Sequence, residues 1–294
     1  MKKVLLLGQA GQLASELRLT TPQSVELKVL GYSEFCRMPD TELNKLFVCF
    51  APDWVINAVS YNKVDQAELF PELAMAGNFY LVQKLQKLSA STQSKLLHLS
   101  TDFVFDGLSS TPYKEGDFAH PINKYGQSKL LAEQWLQREY AASSVIIRTS
   151  WLYSAYSTNF VKTMLKLMQT MELLQVVQDQ RGSPCWAYGL SSVIWQLIST
   201  EVVTSGIYHW ADSGYCSRYE LALEIQALGL KLGALNHRAR IVSIESSQFP
   251  QTAIRPAFSA LDSTLLRNTL SLPTFSWQQQ LERALCSFQA LKVN

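Results

Sequence analysis

Short apolar runs alternate with amphipathic stretches along the first half of the chain. Val4–Leu7 is a compact apolar run that ends at Gly8. Glu26–Leu30, Trp54–Val59, Lys95–Ser100 and Val145–Thr149 repeat the pattern. Between them, Glu68–Ser89 and Ile122–Glu139 carry apolar residues at helical spacing. Strands that alternate with helices predict βαβ units and a parallel sheet. Right-handed crossovers then bring the strand C-termini to one edge, where ligands bind. After about Ser150 the rhythm loosens. Phe160–Met171, Leu190–Thr200, Ser217–Leu228 and Trp277–Ala290 read as helices, the third with Ser217 as N-cap and Glu220 at the capping-box position. Pro and Gly punctuate the joins, as at Gly182-Ser183-Pro184 and Arg255-Pro256. The expected division is residues 1–150 for a dinucleotide-binding unit and 151–294 mainly for a smaller substrate-binding lobe, with later segments free to return to the first unit.

Composition narrows the class. Of 294 residues, 47% are hydrophobic and 17% charged, as in a globular chain, and a net charge of +2 gives no reason to expect nucleic acid or an anionic membrane as partner. Positive sites for a phosphate must therefore be local. Five cysteines without a C-x-x-C pair suggest neither a disulfide framework nor a zinc site, and read as thiols in a reducing cytosol. The four-residue apolar run near the start is too short for the core of a signal peptide, and no stretch reaches membrane-span length. A cytoplasmic protein is the expectation.

Gly8-Gln9-Ala10-Gly11-Gln12-Leu13-Ala14 follows the first run and opens a helix. Gly8 permits a tight turn, and Gly11 lets the backbone approach a pyrophosphate at the positive helix N-terminus. Ala14 stands where the dinucleotide fingerprint carries its third glycine, and the spacing is G-x-x-G-x-x-A. This placement makes the sheet a Rossmann-type, doubly wound one. The second run ends in Gly31-Tyr32-Ser33-Glu34. Gly31 and Tyr32 offer neither a carboxylate for a ribose 2′-hydroxyl nor an arginine for a 2′-phosphate. Ser33 suits either form and Arg37 lies further on, so NADPH and NADH both stay open.

Tyr125 and Lys129 stand at i and i+4, on one helical face. A free phenol titrates near 10, and a neighbouring ammonium favours its ionised form, so the pair suits acid–base work on an alcohol/ketone couple. Y-x-x-x-K is common by chance. Ser100-Thr101-Asp102, which ends the preceding strand, supplies a hydroxyl for the same carbonyl oxygen.

Gly8–Ala14, Ser100-Thr101-Asp102 and Tyr125-x-x-x-Lys129 together resemble the extended short-chain dehydrogenase/reductases. Longer strings resemble one branch, the dTDP-4-dehydrorhamnose reductases: Pro52–Ala58, Tyr61 with Val64–Glu68, Ser100–Gly107, Arg148–Tyr153, Asp179–Pro184, Gly206–His209 and Arg255-Pro256. The resemblance implies reduction of the C4 ketone of dTDP-4-dehydrorhamnose by NADPH or NADH. It implies a catalytic set of Thr101, Tyr125 and Lys129, with Tyr125 the proton donor, Lys129 holding the ribose and Thr101 polarising the carbonyl. Gly8, Gly11, Gln12, Leu13, Asn57, Ala58, Tyr61 and Ser100 would line the cofactor. Asp102, Phe103 and Trp151 would border the sugar, with Asn159 and Arg255 toward its diphosphate or nucleotide. Plainer readings stand beside these: Trp151 as core, Arg255 as a surface charge, His209 as a structural histidine. No motif marks a metal site. In some members Glu16 would join a magnesium site at a homodimer interface, although a solvated helix carboxylate is the simpler account.

The chain departs from the family at Phe103, where Tyr is usual, at Asn62, Cys185 and Ala132, and in Gly31–Pro39. Two other functions remain: a nucleotide-sugar epimerase of the same superfamily, and a non-catalytic NADP-binding subunit like the regulatory β-subunit of methionine adenosyltransferase. Phe103 after Asp102, in place of a Glu, argues against a dehydratase.

Overall fold

Six of the chain's apolar runs form one parallel sheet. The computed structural model describes residues 1–200 and 204–292; positions 201–203 and 293–294 of the expected lobe lie outside the described residues. The strands are β1 (Lys2–Leu7), β2 (Val25–Leu30), β3 (Trp54–Asn57), β4 (Lys95–Thr101), β5 (Ser144–Thr149) and β6 (Gly206–His209), in the order β6-β5-β4-β3-β1-β2. The order reverses at β1 and β3, so a crevice opens beyond their C-terminal ends. Continuous burial explains the unbroken apolar runs: Val4–Leu7 and Trp54–Asn57 are buried throughout, because both sheet faces are covered.

Helix Gln12–Leu19 and helix Ala187–Ser199 cover one face, where Leu13, Leu17, Leu190, Ile194 and Ile198 meet Val4, Leu6 and Ile56. Phe35, Phe47, Val82, Leu85 and Leu136 cover the other. The lobe has its own core, in which Val161, Met164, Leu221, Ile225 and Leu281 pack around a short parallel pair, Leu173–Val177 with Arg240–Ile244.

Most boundaries shift by a residue or a few from the sequence reading, and three shifts bear on the site. β3 stops at Asn57 rather than Val59, because the Asn57 side chain turns the backbone by accepting from Val59 N at 3.1 Å. The stretch expected as one helix over 68–89 is broken at Phe70-Pro71 and then widens into a π turn, Ala76–Tyr80, before Leu81–Ser91. Helix Ala187–Ser199 begins three residues before the expected Leu190. The capping box at Ser217 forms as expected: Ser217 Oγ accepts from Glu220 N at 3.0 Å, and Glu220 accepts from Ser217 N at 2.7 Å.

Candidate active site

A cleft of about 1000 Å³ runs along the C-terminal edge of the sheet, from the β2 end to the lobe. At its start Gly8 has φ +127°, a conformation that would strain any side chain. A Cβ at Gly11 would meet nothing within 4 Å, so this backbone faces open space at a helix N-terminus. Gln12 and Leu13 follow on the same wall, and Ala58 and Tyr61 line it further on. Gln12 also ties the turn to the lobe: it donates to Leu152 O at 3.2 Å and accepts from Asn159 at 3.0 Å.

Ser100, Thr101, Asp102, Tyr125 and Lys129 line the same cleft at the end of β4. Helix Lys124–Glu139 brings the last two there. Its N-cap, Asn123, accepts from Gly126 N at 2.8 Å. Gly126 is required, since a Cβ would fall on the carbonyl oxygen of Phe103. That contact presses the turn after β4 against the first turn of the helix. Asn78, in the π turn, locks the opposite side. It accepts from Tyr61 N at 2.8 Å and Ser60 Oγ at 3.0 Å, and donates to Tyr61 O at 3.0 Å and Ser128 Oγ at 2.9 Å. One buried amide thus joins the Ser60-Tyr61 loop to helix Lys124–Glu139.

Burial pushes the Tyr125 phenol above its ordinary range, and the Thr101 and Ser60 hydroxyls only partly offset it. Lys129 is not among the groups that lower it, unlike the sequence expectation. Its ammonium nitrogen lies deeper, donating to Leu99 O at 2.5 Å, and burial pushes it down to about 8. Thr101 donates to Asp102 at 3.1 Å, and Ser259 donates to the other Asp102 oxygen at 2.5 Å. Burial raises Asp102 to about 6 despite these bonds.

Trp151 forms the lobe side of the cleft, on a left-handed backbone with φ +42°. The guanidinium of Arg218 lies over its ring, 3.5 Å from the centroid. The Arg218 guanidinium has no hydrogen bond or ion pair among the described residues, yet burial lowers it to about 10 with Asp102 pulling the other way. Nothing in its local sequence marked it.

Four expected residues do not reach the cleft wall. Asn57 is buried behind it, 3.1 Å from His98 Nδ1. Phe103 packs edge-on against Tyr125, with ring centroids 5.9 Å apart. Asn159 caps helix Phe160–Thr170 by accepting from Lys162 N at 3.0 Å. Arg255 pairs with Asp65 at 2.6 Å. His209 is buried, bonded through Nδ1 to Tyr113 O, and held neutral with its pKa near 3 by burial and Arg148.

The architecture accommodates a dinucleotide. Ser100 Oγ is buried on the cleft wall without a hydrogen-bond partner, as a polar atom awaiting a ligand would be. At the far end both a carboxylate, Glu34, and a guanidinium, Arg37, line the cleft, so it suits either the 2′-hydroxyl or the 2′-phosphate form. Among the described residues no group of three or more His, Cys, Asp or Glu gathers as a metal site. Glu16 is buried rather than solvated, and burial raises it to about 7. All five cysteines are free. No helix of the described residues is long and apolar enough to cross a membrane.

Residues 1–290 match the model of the RmlD substrate binding domain family. The chain belongs to this family. It is 35% identical over 288 residues to the dTDP-4-dehydrorhamnose reductase of Aggregatibacter actinomycetemcomitans, covering 96% of this chain and 98% of that one. It is 34% identical to the spore coat polysaccharide biosynthesis protein SpsK of Bacillus subtilis, covering 97% of each. Among solved structures, the dTDP-4-dehydrorhamnose reductase of Bacillus anthracis in complex with NADP superposes with a TM-score of 0.88 at 31% identity, over 98% of this chain and 100% of that one. The UDP-glucose 4-epimerase of Thermus thermophilus shares the fold at 14% identity and a TM-score of 0.79.

Proposed function

We propose that the protein reduces the C4 ketone of dTDP-4-dehydrorhamnose to give dTDP-L-rhamnose, with NADPH or NADH. The carrying observation is the convergence of Thr101, Tyr125 and Lys129 in the cleft that also holds the Gly8–Gly11 turn. Residues 1–150, with β6 and helix Ala187–Ser199, form the dinucleotide-binding unit, and the rest mainly the substrate lobe. Gly8, Gly11, Gln12, Leu13, Ala58, Tyr61 and Ser100 line the cofactor, and Asn57 acts from behind the wall. When bound, the nicotinamide supplies the hydride.

The protein's part is protonic and positional. A phenol held above its ordinary range by burial stays protonated at neutral pH, the form a reductase needs in its donor. Tyr125 gives that proton to the oxygen as the carbonyl becomes an alkoxide. Thr101 exchanges its bond to Asp102 for the same oxygen and polarises it. Lys129 carries positive charge beneath them. Asp102 and Trp151 border the sugar, with Phe103 behind Tyr125. Arg218, with unpaired donors on Trp151, takes the anionic part of the substrate; Arg255 joins it only by giving up Asp65. The reading includes a cytoplasmic enzyme, homodimeric if it associates, with neither nucleic acid nor membrane as partner.

Oxidation of NADPH and NADH with dTDP-4-dehydrorhamnose and other dTDP-4-keto sugars tests the proposal. Turnover with the rhamnose precursor is expected. No turnover with any of them, alongside firm binding to a synthetase, would replace it with the regulatory-subunit reading. Cofactor that stays bound through purification, with isomerised product, would favour an epimerase.

A further inference from the structure

His98, in the middle of β4, is fully buried, and each of its ring nitrogens faces one side chain. Nδ1 lies 3.1 Å from Asn57 Nδ2, and Nε2 lies 3.4 Å from Lys129 Nζ. Asn57 is not free to turn over, because its Oδ1 already accepts from Val59 N. Its amide nitrogen therefore donates to His98 Nδ1. A neutral imidazole that accepts at Nδ1 carries its proton on Nε2, so the histidine turns an N–H toward the lysine.

An ammonium nitrogen has no lone pair and cannot accept that N–H; a neutral amine can. The ring hence bonds one protonation state of Lys129 and only abuts the other. We infer that His98 is a positioning residue for Lys129, with a fixed tautomer that favours the neutral lysine and makes its proton easy to release. This rests on the reading above only in giving Lys129 a part in the reaction.

The Leu99 carbonyl, which accepts from Lys129 Nζ at 2.5 Å, can do so from an ammonium or an amine. Glu133, one turn further on the same helix, favours the ammonium, but Arg148 of β5 holds its carboxylate at 2.6 Å. Tyr125, one turn earlier, stays protonated. Asp102 is directed at Thr101 and Ser259. Asn78 and Ser128, where the π turn meets the helix, are neutral. Burial of Lys129 acts in the same direction as His98, and burial together with Lys129 holds the imidazole neutral. Lys129 then changes charge within the working pH range, instead of remaining a permanent cation. The positive charge it places beneath the cofactor site falls away as pH rises through about 8.

Two measurements test this without sugar turnover, so that failure here is separable from failure of the reductase reading. The first labels the imidazole nitrogens with 15N in the intact wild-type protein. Four histidines are present, and His98→Leu identifies the signal by its loss. Nε2 protonated with Nδ1 bare is expected; the reverse tautomer overturns the inference. The second follows NADPH dissociation constants against pH. Wild type should weaken as pH rises through about 8, and His98→Leu should move that midpoint up by about one unit, tenfold in proton affinity. A histidine with only a packing role would lower the melting temperature and leave the midpoint in place, which also overturns the inference. Should His98→Leu not fold, His98→Gln replaces it as the assignment variant, and the wild-type tautomer decides.

Discussion

The sheet edge that carries Tyr125 and the lobe that carries Trp151 face each other across one cleft, but they are built by different means. On the sheet side, six strands in continuous parallel register place each residue through the backbone. A one-residue slip there would send every side chain to the opposite face of the sheet, against the wrong set of helices. The lobe side of the cleft is joined by two-residue pairings, Leu152–Tyr153 with Cys185–Trp186 and Arg181–Gly182 with Cys216–Ser217, and by a single bridge from Arg181 to Phe258. Side-chain contacts do the rest, such as Arg218 on Trp151 and Arg255 on Asp65. In the proposed function, the proton chemistry thus falls on the strand frame and recognition of the sugar on parts that single substitutions can re-aim.

That contrast can be broken most sharply at Tyr125. Tyr125→Phe should lower kcat by about 10²–10⁴-fold, the usual worth of a positioned proton donor, with NADPH affinity little changed. A variant with near-normal rate in a cofactor-oxidation assay would remove the proton donor from the frame. Gly126→Ala comes next. Its new methyl has no room against Phe103, and overpacking of this kind costs about 1–3 kcal/mol. A lower denaturation midpoint together with lost turnover is expected, and unaltered stability would mean that the β4 turn is not pressed on the helix. On the lobe side, Arg218→Ala should raise KM for the sugar nucleotide about tenfold, roughly 1.4 kcal/mol, and leave kcat and the cofactor KM near wild type. A fall in kcat alone would move Arg218 to the chemistry side of the comparison. Arg255→Ala should do least to stability, within about 1 kcal/mol in a denaturant titration, because its partner Asp65 is partly exposed.

The legible features were those set by local spacing. The Gly8–Ala14 turn, the strand ends and the i, i+4 pair Tyr125/Lys129 depend on neighbours a few residues away, and periodicity reports such neighbours. Asn78 was not legible, since a polar residue in an amphipathic run looks like a solvent-facing one. A π turn also keeps enough apolar spacing to pass for α-helix. His98 sits in an apolar strand with nothing nearby to show that Asn57 and Lys129 flank it. Arg255 could not be assigned to Asp65, 190 positions away in sequence, nor Arg218 to Trp151. Glu34 was passed over as a cleft carboxylate because it lies four residues beyond the end of its strand. The sequence expectation that Lys129 lowers the phenol of Tyr125 fails for a related reason: helical spacing puts both on one face but does not give the depth at which each side chain ends.

The place of β6 in the sheet bears on how the protein can be made and dissected. β6 pairs with β5 only after much of the lobe has been synthesised, and helix Ala187–Ser199 covers the sheet face of Val4, Leu6 and Ile56 from equally late in the chain. A ribosome that has released the first 150 residues has thus delivered Tyr125 and Lys129 on a sheet with one face only half covered, by helix Gln12–Leu19 alone, and one open edge. Such a fragment exposes the surfaces that drive aggregation. Expressed alone, it should be recovered as insoluble material, while a co-expressed second fragment beginning before Ala187 should rescue it.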